Sequence, residues 1–423
     1  MKSAFYWFRN DLRLEDNLAL TRAAEACDAL IPVYVFDEAV ALRPFLGFER
    51  MGAFRKKFLW ESLQDLKEEL SKHGGGLIIE QGELPAVFED LQGVYECDII
   101  YCAEAIGTEE RDQEQMLKAC DFDVRTIHDQ CLYHKDDLPF DWNDAPEVYT
   151  PFRKKVEKYA DVRSSLPAPG FKNLVDVDAS ILPPPALDGM AKEVDNRSAF
   201  PFKGGRMAAK ERLKHYLWES NLITSYKETR NGLVGTDYSS KLSAWLSLGC
   251  ISAREVYHEV KHYERERRKN NSTYWLIFEL IWRDFFQFML IKHGRKLFLA
   301  SGIQGEATNW THDEKRLMSW INGATKNDFV NANMREIKET GFMSNRGRQV
   351  VASYLINDLN CDWRFGAAYF ESVLIDYDAA SNYGNWQYIA GVGNDPRPDR
   401  YFNPKTQSER YDPDQVFQRL WLK

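Results

Sequence analysis

Apolar residues fall in short, unbroken blocks through the first third of the chain: AFYWF (4–8), LIPVYVF (30–36), GLIIE (76–80) and DIIYC (98–102). Blocks of this length, rich in β-branched and aromatic residues, read as strands buried on both faces, the pattern of a parallel sheet. Helix-like stretches such as 49–72 and 109–120 lie between them. Strands alternating with helices predict an α/β N-terminal domain built on a parallel, Rossmann-like sheet. The tract HGGG at 73–76 precedes a strand, whereas a phosphate-cradling turn follows one and opens a helix, so a helix stop is expected there. Residues 161–205 are rich in Pro, Gly and Ser (VRSSLPAPGFKN, LPPPALDG, AFPFKGG) and have little periodicity. Helical periods then dominate to about residue 380. The expected organisation is an α/β domain over 1–135, an inter-domain connection over 136–205 and an all-helical domain over 206–423.

Within the helical half, WLIFELIWRDFFQFMLIKH (275–293) is apolar nearly all round, yet Glu279, Arg283 and Gln287 recur at i, i+4 and i+8. Burying such groups unpaired costs several kcal/mol, so this seam faces a partner: a Glu–Arg pair within the core, another helix, or a polar ligand. A second seam in GFMSNRGRQVVASYL (341–355) sets Asn345, Arg348 and Gln349 on one face. A third, in LIDYDAASNYGNWQY (374–388), holds Asp376, Asp378 and Asn382 among aromatics. Three polar seams in one helical domain suggest a lined cavity. In GTDYSSKLSAWLSLG (235–249), Tyr238, Ser239, Ser240 and Ser243 surround Lys241 just before an apolar helix. This pattern suits a phosphate at a helix N-terminus or ordinary N-capping. The letters His258-Glu259-Val260-Lys261-His262 satisfy HExxH, but the charged flank ERERRKNN reads as a solvated helix face, and no metal is expected.

Composition sharpens the division. Phe, Tyr and Trp make up 13% of the chain, and nine of the twelve Trp follow residue 200. Residues 1–200 carry a net charge of -15 and residues 201–423 a net +6, so a polyanionic partner should meet the second half despite the total of -9. Seven scattered Cys without a CxxC pair suit a reducing compartment. No leader is recognisable before SAFYWFR, and the most apolar stretch carries Glu279, Arg283 and Asp284, so a cytoplasmic protein without a membrane span is expected.

Read together, these segments resemble the photolyase/cryptochrome flavoproteins, and within them the cryptochrome DASH branch. The resemblance runs from WFRNDLRLEDNLAL to FNPKTQSERYDP and rests on TRNGLVGTDYSSKLSAWLSLG, ELIWRDFF, MSNRGRQVVASYLINDLNCDWR and DYDAASNYGNWQYIAGVGNDPR. It implies FAD held in the helical domain. Tyr226, Ser239, Ser240, Leu242 and Ser243 would hold the phosphates and neighbouring groups, with Lys241 nearby, and Glu279, Arg283, Asn345, Arg348, Asp376 and Asp378 would line the flavin and adenine pocket. Asn382 falls where the family meets flavin N5, and Trp386, Trp363 and Trp310 match its electron-transfer tryptophans. Taken one at a time, each of these Trp is equally at home as core packing.

The implied reaction is light-driven repair of cyclobutane pyrimidine dimers, with Glu279 against the dimer and Trp282, Gln349 and Tyr388 forming the substrate pocket. Gln349 and Tyr388 stand where duplex-acting photolyases commonly have Met and Trp. A more polar pocket leaves less energy to offset unstacking, so single-stranded or looped DNA is the expected substrate, with RNA a further single-stranded partner. The pair Ser344-Asn345 lacks the His of (6-4) photolyases, which disfavours that lesion. The alternative is a blue-light photoreceptor or nucleic-acid-binding regulator without repair. The chain ends soon after Trp386 without the long tail of signalling cryptochromes, which favours repair. An antenna pigment, 5,10-methenyltetrahydrofolate in most of the branch, would contact Glu110, which serves equally as acidic charge in a helix's first turn. A monomer is expected.

Overall fold

The computed structural model describes residues 2–177, 183–191, 193–306, 309–395, 397 and 400–423. Five strands, β1 (Ser3–Phe8), β2 (Ala29–Asp37), β3 (Ile78–Gly82), β4 (Ile99–Ala103) and β5 (Asp123–Ile127), form one parallel sheet in the order β3-β2-β1-β4-β5. The first four coincide with the apolar blocks, β3 beginning two residues late. β5, DVRTI, was not expected. It is an edge strand with only Val124 buried, so it lacks the continuous apolar run of its neighbours. Helices α1 (Leu18–Ala26), α2 (Ala53–Lys72), α3 (Leu84–Tyr95) and α4 (Thr108–Ala119) lie between the strands. The order reverses at β1, flanked by β2 and β4, and the carboxyl ends beside such a switch point open a crevice.

As expected, α2 stops at HGGG, with Gly74 at φ +78°. The next two glycines have a different cause. A Cβ on Gly75 would come within 2.7 Å of Leu174, and one on Gly76 within 2.5 Å of Val177, because the connection folds back across the sheet here. Leu30 N donates to Asn173 O at 2.8 Å and Val175 N to Leu30 O at 2.9 Å, so this part of the connection is hydrogen-bonded to β2. The connection also contains α5 (Tyr149–Tyr159), which buries Tyr149, Phe152 and Val156. Its residues 178–182 and 192 lie outside the described ones.

The helical half includes α6 (Arg206–Lys214), α7 (Ser243–Ser247), α8 (Ala253–Glu266), α9 (Asn271–His293), α10 (Asp328–Thr340), α11 (Asn345–Ser353), α12 (Trp363–Val373) and α13 (Ala379–Ala390). The central one is α9, which packs against α5, α8 and α13. Asn270 opens it with a capping box, accepting from Ser272 N and Thr273 N at 2.9 Å each while Thr273 Oγ1 accepts from Asn270 N at 3.1 Å.

Buried charge joins the two halves. Arg254 on α8 meets Asp16 at 3.0 Å and Asp129 at 2.6 Å, with all three side chains nearly inaccessible. On α9, Asp284 accepts from the backbone N–H groups of Leu132 and Tyr133, each at 2.8 Å. Gly249, at φ +67°, lets the helical half approach the backbone of Asn10, where a Cβ would collide. Removing one member of such a network strands the others without water, which costs roughly 3–5 kcal/mol.

Burial pushes the Asp284 carboxyl up to about 6, against the pull of the two amides and of Arg283 and His128. The folded value exceeds the unfolded one, so the native state holds an extra proton and its stability falls as pH rises from about 4 to about 6. Asp284→Asn should remove that contribution: urea unfolding across this window should show the variant gaining on the parent protein as pH rises, then levelling off. A pH-independent difference would refute the assignment.

Candidate functional site

Two of the three polar seams meet, while that of α9 finds its partners elsewhere. A cavity of about 110 Å³ in the helical half is lined by Asn345, Arg348 and Gln349 from α11, Asp376 and Asp378 from the loop before α13, and Asn382 and Trp386 from α13. Ser344 caps α11, accepting from Gly347 N at 3.1 Å, and Asp378 caps α13, accepting from Ser381 N at 2.7 Å, so both seams are placed by helix starts. Arg348 donates through Nη2 to both oxygens of Asp376, at 2.9 and 3.0 Å, and through Nε to Met343 O at 2.9 Å. Asn382 donates through Nδ2 to Ala367 O at 2.9 Å. A carbonyl accepts only from a donor, so this bond fixes the amide and leaves Oδ1 as its accepting end.

The α9 seam divides its partners differently from the Glu279–Arg283 pair the sequence offered. Glu279 forms its ion pair with Arg230, which is 49 residues away in the chain, while 30% of its side chain remains accessible. Desolvation raises the Glu279 carboxyl and Arg230 opposes the rise. Arg283 donates to Gln130 O at 3.0 Å, to Gln287 Oε1 at 3.2 Å and to Leu246 O at 3.3 Å. It ties α9 to both halves and does not neutralise Glu279. Neighbouring Trp282 stacks on Tyr149 of α5, with ring centroids 3.6 Å apart and planes within 8°, and meets Tyr388 edge-on at 5.8 Å. Arg400 lies 4.4 Å over the Tyr388 ring.

The segment 238–243 stands beside the small cavity. Lys241, in left-handed backbone at φ +63°, sets its ammonium 3.2 Å over Tyr238 and 4.5 Å over Phe342, the ring that Arg348 also faces at 5.6 Å. Helix α7 is only five residues long, begins at Ser243 and has no side-chain cap, so the serines here do not serve as caps. Ser240 is buried, and Tyr226 is buried within the field of Glu279 and Arg230. Four buried polar atoms nearby, Lys241 Nζ, Tyr238 Oη and both Glu336 oxygens, have no hydrogen-bond partner among the described residues, nor does Gln349 Oε1 in the cavity wall. Burial depresses the Lys241 ammonium and pushes the Glu336 carboxyl up to about 8. Buried groups of this kind are ordinarily satisfied. The donors and cations Lys241, Arg348 and Tyr238 therefore fit an anionic, hydrogen-bonding cofactor such as FAD.

Trp386 is buried, with its ring over Gly366 of α12, where a side chain would collide with it. Trp363 begins α12, and its indole N–H shares an acceptor, Ala300 O, with that of Trp310, at 3.2 and 3.0 Å. The HExxH letters form no ligand pair. His258 Nε2 sits 2.8 Å from Arg163 O, and His262 packs on Trp218 at 5.0 Å.

A second cavity, of about 590 Å³, lies at the carboxyl ends of β1, β2 and β4, between the two halves. Glu110 lines it, together with residues that sequence reasoning missed: Arg9, Asp37, Arg50, Arg55, Gln113 and Tyr383. Gln113 Nε2 donates to Asp37 at 2.6 Å, and Arg9 Nη2 to Glu114 at 2.7 Å. Burial raises the Glu110 carboxyl, partly offset by Arg9 and Arg50. The WFR at 7–9 was the only signal within reach, since the lining is drawn from residue 7 to residue 383. Tyr377 and Asp378 border both cavities.

Two family models match this chain: DNA photolyase over residues 4–170 and the FAD binding domain of DNA photolyase over residues 275–423. A cryptochrome DASH from Gloeobacter violaceus is 44% identical, over 100% of this chain and 85% of its own length. The crystal structure of Synechocystis cryptochrome superposes with a TM-score of 0.93 at 43% identity, covering 100% of this chain and 89% of that one. That of a photolyase from Sulfolobus tokodaii with two FAD molecules gives 0.82 at 28% identity, covering 100% and 90%.

Tyr149 is the support of the Trp282 wall. Tyr149→Phe keeps the stack and loses one hydrogen bond, to Phe278 O at 2.8 Å, so a loss of about 1 kcal/mol is expected. Tyr149→Ala also empties the space behind Trp282 and should cost roughly 3–5 kcal/mol. Equal losses in chemical denaturation would show that the stack contributes nothing.

Proposed function

This chain belongs to the photolyase/cryptochrome family, in its cryptochrome DASH branch, and from that premise we propose that it repairs cyclobutane pyrimidine dimers under blue light, preferentially in single-stranded or looped DNA. The bound FAD, when reduced and excited, supplies the electron that splits the dimer. The chain's own residues bind, orient and tune. Lys241, with the serine hydroxyls at 239, 240 and 243, holds the diphosphate, and Arg348, held by Asp376, borders the flavin. Asn382, its Nδ2 committed to Ala367 O, keeps Oδ1 as the end that would accept from a protonated flavin nitrogen. A neutral amide at that position places no negative charge beside a reduced flavin, which favours the reduced state. This oriented amide is the observation that carries the repair reading.

Glu279 stands at the mouth of the site with its carboxyl raised by desolvation. Protonated or hydrogen-bonded, it stabilises charge developing on the dimer's carbonyl edge. Trp282, backed by Tyr149, offers a fixed stacking wall. Tyr388, under Arg400, and Gln349, whose Oε1 seeks a donor, make the rest of the pocket polar. Such a pocket gains less from packing an extruded dimer, so substrates that are already unstacked are favoured. Trp386, Trp363 and Trp310 form the electron route between flavin and surface.

The larger cavity takes the antenna, 5,10-methenyltetrahydrofolate. Asp37 and Glu110 suit the amino and ring N–H donors of the folate's pterin, and Arg50 and Arg55 suit the carboxylates of its glutamate tail. A relative that carries two flavins is consistent with a second chromophore beside the first. Among the described residues no helix is long and apolar enough to cross a membrane.

Two measurements test this reading. Reduced protein illuminated with dimer-containing oligonucleotides should restore thymines faster in single strands than in duplexes. Failure on both substrates with FAD bound would favour the photoreceptor reading. Glu279→Gln should lower the repair yield while FAD content stays unchanged, and an unaltered yield would remove Glu279 from the chemistry.

A further inference from the structure

Tyr383 follows Asn382 on α13 and has no part in the scheme above, yet its surroundings are specific. The side chain is only 1% exposed, and its ring centroid lies 6.3 Å from that of Trp363, at an interplanar angle of 75°. The hydroxyl donates to Glu371 Oε2 at 2.8 Å. Glu371 lies on α12, the helix that Trp363 opens, and is itself 3% exposed. Its other oxygen, Oε1, pairs with Arg50 Nε at 2.7 Å, and Arg50 in turn reaches Glu109 on α4. Arg55 from α2 and Tyr377 from the loop before α13 complete the charged and titratable groups around the pair. The far side of the tyrosine meets Phe298 at 4.7 Å and opens on the larger cavity. A phenol touching an indole on one side and a buried carboxylate on the other is the arrangement that moves an electron and a proton together.

We propose that Tyr383 is a redox-active branch of the tryptophan line, and that Glu371 is the positioning residue that takes its proton. The inference rests on the tryptophan route proposed above. An oxidised flavin, when bound and photo-excited, would take an electron from Trp386, and Trp363 would refill it, leaving Trp363 as a radical cation. Tyr383 returns one electron to Trp363, and its O–H bond breaks toward Glu371. The products are a neutral indole, a neutral phenoxyl radical and a carboxylic acid, so one positive charge moves from Trp363 to Glu371 and none is lost. Desolvation raises the affinity of Glu371 for the proton, and the ion pair with Arg50 opposes that rise and favours the accepting carboxylate. The hole then rests in the wall of the larger cavity and not only along the path to Trp310.

The test is flash photolysis of the oxidised holoprotein followed by transient absorption and by electron paramagnetic resonance with ring-deuterated tyrosine. In Trp310→Phe, where the surface outlet is cut, a phenoxyl radical whose spectrum narrows on deuteration is expected. Its formation should slow in D2O. Adding Tyr383→Phe should abolish the phenoxyl signal, and adding Glu371→Gln should leave the hole on tryptophan, with flavin content checked in each variant. An indolyl radical that decays without any phenoxyl would overturn the branch alone, as would a phenoxyl that survives Tyr383→Phe. Normal flavin photoreduction in Trp363→Phe would overturn the tryptophan route itself, and this branch with it.

Discussion

Helix α9 is buried on nearly every side and still carries four polar or charged groups, Glu279, Arg283, Asp284 and Gln287. None can be left without a partner in that environment, because each unsatisfied group would cost a large share of a domain's net stability. Each therefore dictates a neighbour. Asp284 draws in the backbone after β5, Arg283 and Gln287 bring Gln130 and Cys131 onto the helix, and Glu279 recruits Arg230. Much of the junction of the two halves, and the pairing of Glu279 with Arg230, are consequences of satisfying one helix.

The same reasoning separates what could be read from the chain from what could not. Four strands were legible because each begins in a continuous apolar run, even β3 at the other edge, whereas β5, DVRTI, carries no such run. The seams on α9, α11 and α13 were legible as periodicity, and six of their residues line one small cavity. Pairing was not legible. Glu279 prefers a guanidinium 49 residues upstream to the one a turn away, because Arg283 is committed to three carbonyl oxygens, two of them backbone. Nothing in local spacing carries that preference. The larger cavity escaped for a related reason: its lining is gathered from strand ends and from α4 and α13, so no single window of sequence holds it.

Charge beside the small cavity is arranged in layers. Arg348 is neutralised by Asp376, while Lys241 and Glu336 lie deeper, each dehydrated and without a hydrogen bond. Isolated buried charges shift toward neutrality, and an anionic ligand reverses that tendency for the cation. Any anion bound there would link its own affinity to protein stability through the same few side chains.

Among the described residues, Tyr377 and Asp378 line both the small cavity and the large one. A substitution at either position reshapes both compartments, and an inserted residue would push them apart together. The loop joining α12 to α13, despite its irregular backbone, thus serves two compartments at once.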